Sequence, residues 1–257
     1  ISADSGGFAG GFDAPLPGSK NIRGGLGFGY TRHSLEGNRG MTAQANTYQA
    51  AVYGSWEKQG YYAGLAGRYA HTDLETDRHI VFENIDRHAT AQSSGQEAGF
   101  LLEAGARLGD ITRIAYRPIV RLQYNHLSQD SLRETGAGDL SLAADSASYD
   151  SWQTTLGMRV STLFTLDGEF GIEPEVRGGW TRDFGDLTRP ISARFYTVPG
   201  AAPFVTSGAQ VEPDHFFVGT GYLMRVNQVP LVGFDYDFYV GDNYQLHVIS
   251  AQLYLRW

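Results

Sequence analysis

Seven His stand in this sequence among 28 Asp and Glu and 20 Lys and Arg. His79, His88 and His126 fall in or near stretches that read as loops, with Asp86, Asp130 and Asp150 of the right type close by. Histidine beside aspartate at a surface could act as the base of a protease site, so these six residues are the candidates for catalysis. Loop histidines and aspartates are also common simply as solvated groups. The sequence has no G-x-S-x-G nucleophile elbow and no H-E-x-x-H zinc pair. No catalytic residue is therefore assigned, no metal and no cofactor is implied, and the chain is not expected to be an enzyme.

A second set of charges is more regular. Glu97, Glu103, Arg107, Arg117, Arg121, Arg159, Glu173, Glu175, Arg177, Asp235 and Asp237 all fall on the polar side of segments that alternate apolar and polar. Charges left alone in a dry interior are costly, so such a face needs an ion-pair and hydrogen-bond network. The same face could also wall a hydrated channel that does not hold on to a polar chain passing through. The two readings are compatible.

Those charges can share a face only if strands position them, and period-two alternation runs down almost the whole chain. Between 249 and 257, Ile249, Ala251, Leu253, Leu255 and Trp257 take one face, while Ser250, Gln252, Tyr254 and Arg256 take the other. Phe170, Ile172, Pro174, Val176 and Trp180 alternate with Glu169, Gly171, Glu173, Glu175 and Arg177. Ile114, Tyr116, Pro118, Val120, Leu122 and Tyr124 interleave with Ala115, Arg117, Ile119, Arg121, Gln123 and Asn125. Mean hydropathy is −0.29, and no run approaches the ~20 apolar residues of a spanning helix. A transmembrane β-barrel evades that test because its lipid-facing and lumen-facing residues cancel in any average. It also pairs every backbone group between strands, as a bilayer demands.

A soluble β-sandwich would alternate too. Three features favour the barrel. Aromatic residues cluster near segment ends (Trp56, Tyr61, Trp152, Phe164, Trp180 and Trp257), as interfacial girdles require. The segments exceed usual sandwich strands in length. The opposite face mixes Glu and Arg at close spacing. Connections alternate between short ones (15–20, 58–60, 109–110, 165–168, 227–230) and long ones (36–41, 79–89, 131–148, 185–212, with a briefer one at 241–243). Short turns belong on the periplasmic side and long loops outside. The expected fold class is all-β: a transmembrane antiparallel up-and-down barrel forming one outer-membrane domain over 1–257. About eleven strands are expected, starting near Ala3, Asn21, Ala43, Tyr61, Ala91, Thr112, Tyr149, Gly168, Asp214, Leu231 and Tyr244. That odd count places the C-terminus in the periplasm and calls for one more strand before Ile1, because an unpaired edge in lipid is not tolerable. A net charge of −8 argues against nucleic acid as a partner.

An ordered series of weak motifs then resembles a known family. Gly10-Gly11-Phe12-Asp13 followed by Gly25-Leu26-Gly27-Phe28-Gly29-Tyr30-Thr31 looks like one of its strand pairs, and Tyr53-Gly54-Ser55-Trp56 with Gly60-Tyr61-Tyr62 and Tyr69 looks like the next. Pro174 with Trp180-Thr181-Arg182-Asp183-Phe184 is similar to its "P … W-x-H-E-F" strand, departing at Arg182-Asp183. The segment 193–208, with Pro199-Gly200 and Phe204, resembles the family's fifth outside loop, often a β-hairpin. Tyr236-Asp237, His247 and the Leu255-Arg256-Trp257 end resemble the closing hairpin and terminal signal. Gln252 stands where Gly is usual, and Trp257 where Phe is usual. The family is the translocator (β-barrel) domain of classical autotransporters of type V secretion, and the resemblance covers nearly the whole chain.

The resemblance implies a twelve-stranded barrel, with one strand and a pore-threading helix preceding the segment seen here. It implies the bacterial (Gram-negative) outer membrane and the export of an N-terminal passenger domain to the cell surface, often in virulence. Implied partners are the passenger, outer-membrane lipid and lipopolysaccharide, the barrel-assembly machinery and periplasmic chaperones, with the barrel a monomer. Leu253, Leu255 and Trp257 are the residues of the assembly signal. A stand-alone porin or adhesin barrel is the alternative reading and would lack the passenger.

Overall fold

The computed structural model describes residues 2–37, 40–166, 169–207, 212–227, 229–242 and 244–255. Eleven long strands form one antiparallel sheet in sequence order. They are β1 (Ser2–Pro15), β2 (Ile22–Glu36), β3 (Met41–Lys58), β4 (Tyr61–Phe82), β5 (Ile85–Ala106), β6 (Ile114–Gln129), β7 (Ala147–Ser161), β8 (Phe170–Asp183), β9 (Asp214–Val226), β10 (Val229–Val240) and β11 (Gln245–Leu253). Each strand pairs with the next by simple up-and-down hairpins, and the sheet curls into a half-barrel. Among the described residues, β1 pairs only with β2, and β11 only with β10.

The sheet is inside-out relative to a soluble protein. Among the described residues the buried apolar side chains are eight alanines and Tyr149, with no large aliphatic among them. Exposed apolar residues instead form bands on the convex face, including Val176 at 57% and Val218 at 54%. Water would penalise such bands by about 25 cal/mol per Å², whereas lipid does not. Exposed Trp56, Tyr61, Trp152 and Phe164 stand near strand ends, as an interfacial girdle requires. Near the outer rim, Phe100, Tyr124 and Trp152 form a contiguous cluster with ring centroids 4.7–5.6 Å apart. Trp180, also expected in the girdle, is half-buried and donates from its indole N–H to Asp214 at 2.9 Å, and Trp257 lies outside the described residues.

The short connections are tight turns. Gln59 and Gly60 both take positive φ, 53° and 84°, giving a two-residue turn whose twist suits flanking antiparallel strands. At the 109–113 turn, the Thr112 amide and hydroxyl both donate to Asp110 at 2.9 and 2.8 Å. These bonds hold its carboxyl below the usual carboxylate pKa.

Three of the expected long loops carry paired strands. The stretch 79–89 is a continuation of β4 and β5, paired as far as Phe82 opposite Ile85. Strand pairing needs no apolar face once the hairpin leaves the membrane, so the alternation that marks the span fades while the hydrogen-bonded ladder continues. Strands from the stretches 131–148 and 190–207 together build a second sheet, ordered Phe204–Ser207, Pro190–Phe195, Leu142–Ala144, Leu132–Arg133. Non-local pairing of two loops leaves no local sequence signature.

Candidate functional site

Register decides which side chains share the concave face. Glu173, Glu175, Arg177 and Thr181 of β8 lie opposite Leu223, Gly221, Gly219 and His215 of β9. Gly219 and Gly221 in turn lie opposite Asp237 and Asp235 of β10. The two glycines carry no side chain, so the Arg177 guanidinium reaches across β9. It donates to Asp237 at 2.8 and 2.7 Å and to Asp235 at 2.6 Å, and also to Glu175 on its own strand at 2.9 Å. A Cβ on Gly219 would sit 2.1 Å from the Asp237 carboxylate, and one on Gly221 would sit 2.3 Å from that of Asp235. The Arg177 side chain is only 14% exposed, and four charge-assisted bonds offset the cost of drying it.

The network extends along the sheet. Arg225 donates to Glu173 at 2.9 and 2.5 Å. Arg121 donates to Glu103 at 3.0 and 2.5 Å, and Tyr62 donates to Glu103 at 3.3 Å. Arg68 pairs with Glu97, and Arg107 lies 3.6 Å from Glu57. Arg159 Nε lies 3.0 Å from Glu175, an ion contact without hydrogen-bond geometry. Gln252 donates to Asp235 at 3.0 Å, which gives the departure from Gly at that position a role. Of the eleven expected charges, only Arg117 lacks an ion pair among the described residues; it shares two adjoining cavities with Arg107 and Arg159.

Sequence reasoning missed Arg68, Tyr62 and Arg225 as partners, and missed Gly219 and Gly221 altogether. The signal for the glycines was available: two Gly spaced by two on the polar parity of one strand, beside a strand carrying Asp at the same spacing. Elsewhere on this face an aromatic ring covers a glycine. Tyr53 lies over Gly25, Tyr62 over Gly105 and Phe217 over Gly179, each within 2.6 Å of where a Cβ would be.

The outer mouth carries a second cluster. Arg78, on the concave side of β4, donates to Glu134 at 3.0 and 2.5 Å and to the Leu140 carbonyl at 3.1 Å. Glu134 is buried, accepts the Leu142 amide at 2.8 Å, and its carbonyl accepts the Tyr196 hydroxyl at 2.7 Å. The two outside loops are thereby tied to each other and to β4. An apolar cavity of about 340 Å³ lies beneath them, lined by Leu74, Leu132, Leu142, Ile191, Ala193 and Phe204 among others.

The histidine and aspartate candidates fall into two groups, His126 with Asp150 and His79 with Asp86 and His88, and Asp130 stands apart from both. His126 Nδ1 lies 2.9 Å from Asp150, and His79 Nε2 lies 2.7 Å from Asp86. Asp130 accepts from Ser94 at 2.5 Å and joins no histidine. Leu253 and Leu255 point outward and are 67% and 69% exposed.

Residues 1–237 match the family model described as autotransporter beta-domain. A relative named extracellular serine protease, from Serratia marcescens, is 25% identical over 96% of this chain and 23% of its own length. A second, of the same name and source, is 23% identical over 89% of this chain and 21% of its own length. The chain thus spans less than a quarter of these relatives. Among solved structures, the translocator domain of the autotransporter NalP from Neisseria meningitidis superposes with a TM-score of 0.73 at 14% identity, covering 97% of this chain and 80% of that one. The beta domain of the Bordetella autotransporter BrkA gives 0.66 at 17% identity, covering 97% and 87%.

Proposed function

This chain belongs to the autotransporter β-domain family and is a translocator of the bacterial outer membrane, and we propose that it exports its own N-terminal passenger domain to the cell surface through the space its charged concave face encloses. The observation that carries this reading is the inside-out sheet, with apolar bands on the convex face and an ion-paired wall on the concave one.

On this reading Glu97, Glu103, Arg107, Arg117, Arg121, Arg159, Glu173, Glu175, Arg177, Asp235 and Asp237 line the lumen. Their mutual pairing leaves few free charges to hold an unfolded chain in transit. The chain acts as a single outer-membrane barrel domain. A strand from outside it closes the gap between β1 and β11, since a bilayer does not tolerate open edges. Leu253, Leu255 and Trp257 present the terminal edge to the barrel-assembly machinery, in the manner of strand addition; periplasmic chaperones deliver the chain, and lipopolysaccharide surrounds its outer rim. The domain itself is non-catalytic, and any protease activity like that in the relatives' name belongs to sequence outside it.

The test is protease accessibility of a tagged passenger on intact cells expressing the full gene. The tag should be shaved from the surface only when this barrel is intact. Export that continues without the barrel, or a gene encoding no passenger, would overturn the reading in favour of a pore or adhesin.

A further inference from the structure

Beyond the translocator reading, and independent of it, stands the overhang of the β4–β5 hairpin. β3 pairs with β4 no further than Met41 opposite Arg78, and β6 pairs with β5 no further than Gln129 opposite Gly95. On the outward side of the hairpin, Asp77, still paired with β3, and His79 and Val81 of the overhang stand opposite Thr90, His88 and Asp86 of β5. The His79 and His88 rings stack with centroids 4.2 Å apart and planes 9° from parallel. His79 Nε2 lies 2.7 Å from Asp86 Oδ1, and His88 Nδ1 lies 3.1 Å from Asp77 Oδ1. Ligand atoms of His79, Asp86 and His88 all lie within 4.8 Å of one another.

We propose that His79, Asp86 and His88 form a surface site for a divalent transition-metal ion, with zinc the best match, and that Asp77 is a positioning residue for His88. Two imidazoles and one carboxylate form a three-ligand set that zinc accepts with its remaining positions open. A single carboxylate with two nitrogens is a poor set for calcium or magnesium, which want several oxygens. Asp77 accepts from His88 Nδ1 and so leaves the Nε2 lone pair for the metal, the arrangement in which a carboxylate fixes the tautomer of a ligating histidine. The ligands also stand on paired strands rather than a free loop. The cross-strand register already holds the two imidazoles face to face, so little ordering remains for the ion to impose. Binding puts His79 in the tautomer that carries its proton on Nδ1, which frees Nε2 for the ion, and the Asp86 carboxylate turns from that nitrogen to the metal. An occupied site would staple the tip of the hairpin, which β5 ties to the neighbouring loop through Thr90–Thr135 and through Arg87 donating to the Ala137 carbonyl at 2.7 Å.

The experiment is calorimetric titration of Zn²⁺ into the full-length protein purified in detergent, with Co²⁺ as a spectroscopic probe of nitrogen ligation. The expected result is a saturable event in the unmodified protein that disappears in His79→Ala and in His88→Ala. In Asp77→Asn the event should survive with affinity lower by about 10- to 100-fold. Heat-modifiable migration verifies that each variant is folded, and His79→Gln and His88→Gln replace any alanine variant that is not. No saturable event in the unmodified protein, or one unchanged in both histidine variants, would overturn the site.

Discussion

Arg177 shows how a single residue holds this protein together from the inside. A long cation spans an intervening strand and takes carboxylates from β8 and β10, and it can do so only because Gly219 and Gly221 leave the path open. Loss of one acceptor leaves Arg177 with two others. Asp237→Ala removes two of the four bonds and is therefore expected to cost at least about 1.5–3 kcal/mol, the range for a single hydrogen bond to a charged group. Gly219→Val should cost more, because its Cβ falls on the Asp237 carboxylate and its branches extend toward Arg177, breaking several bonds at once. The midpoint of heat-modifiable migration measures both. Equal midpoints for Gly219→Val and the unmodified protein would show that the glycine path is not needed.

At the scale of elements, strand faces and loop sheets make separate predictions. Leu156 lies on the convex face of β7 and is 49% exposed. If water bathed that face, Leu156→Arg would change stability by no more than about 0.5 kcal/mol. Against lipid near the midplane it is expected to cost about 2–4 kcal/mol, read as a lower unfolding midpoint in bilayers. The outside sheet is anchored by the buried Arg78–Glu134 pair. Arg78→Ala should leave the barrel folded while loosening the 131–148 segment, read as faster proteolysis there. Deletion of 191–208 should likewise spare the barrel but slow the surface appearance of the passenger; normal export after that deletion would rule out a role for this loop in export.

The whole molecule is a sheet whose ends are its most exposed strands. β11 ends at Leu253, which with Leu255 just after it is exposed, and no described strand lies beyond it. Leu255→Ala combined with Trp257→Ala is expected to reduce insertion, seen as less of the compact, heat-modifiable form in membrane fractions. An unchanged yield would confine both residues to ordinary lipid contact.

Much of this was legible along the chain because a barrel strand writes its two environments into alternate residues. All eleven long strands follow from period two. So does the side taken by Glu173, Glu175, Arg177, Asp235 and Asp237, since parity alone selects a face. Alternation says nothing about where a ladder stops once lipid ends, so the reach of β4 and β5 to Phe82 and Ile85 stayed hidden inside an apparent loop. Nor could parity reveal partners. Arg78 with Glu134, Arg225 with Glu173 and His79 with His88 each depend on register between strands, or on loops far apart in sequence meeting over the mouth. The sequence by itself determined the fold class, the polar and apolar faces and the membrane, because those depend on residue type at period two. Only the tertiary structure decided which charges meet, which glycines must stay bare and what covers the outer mouth, because those depend on distances that curvature and register create.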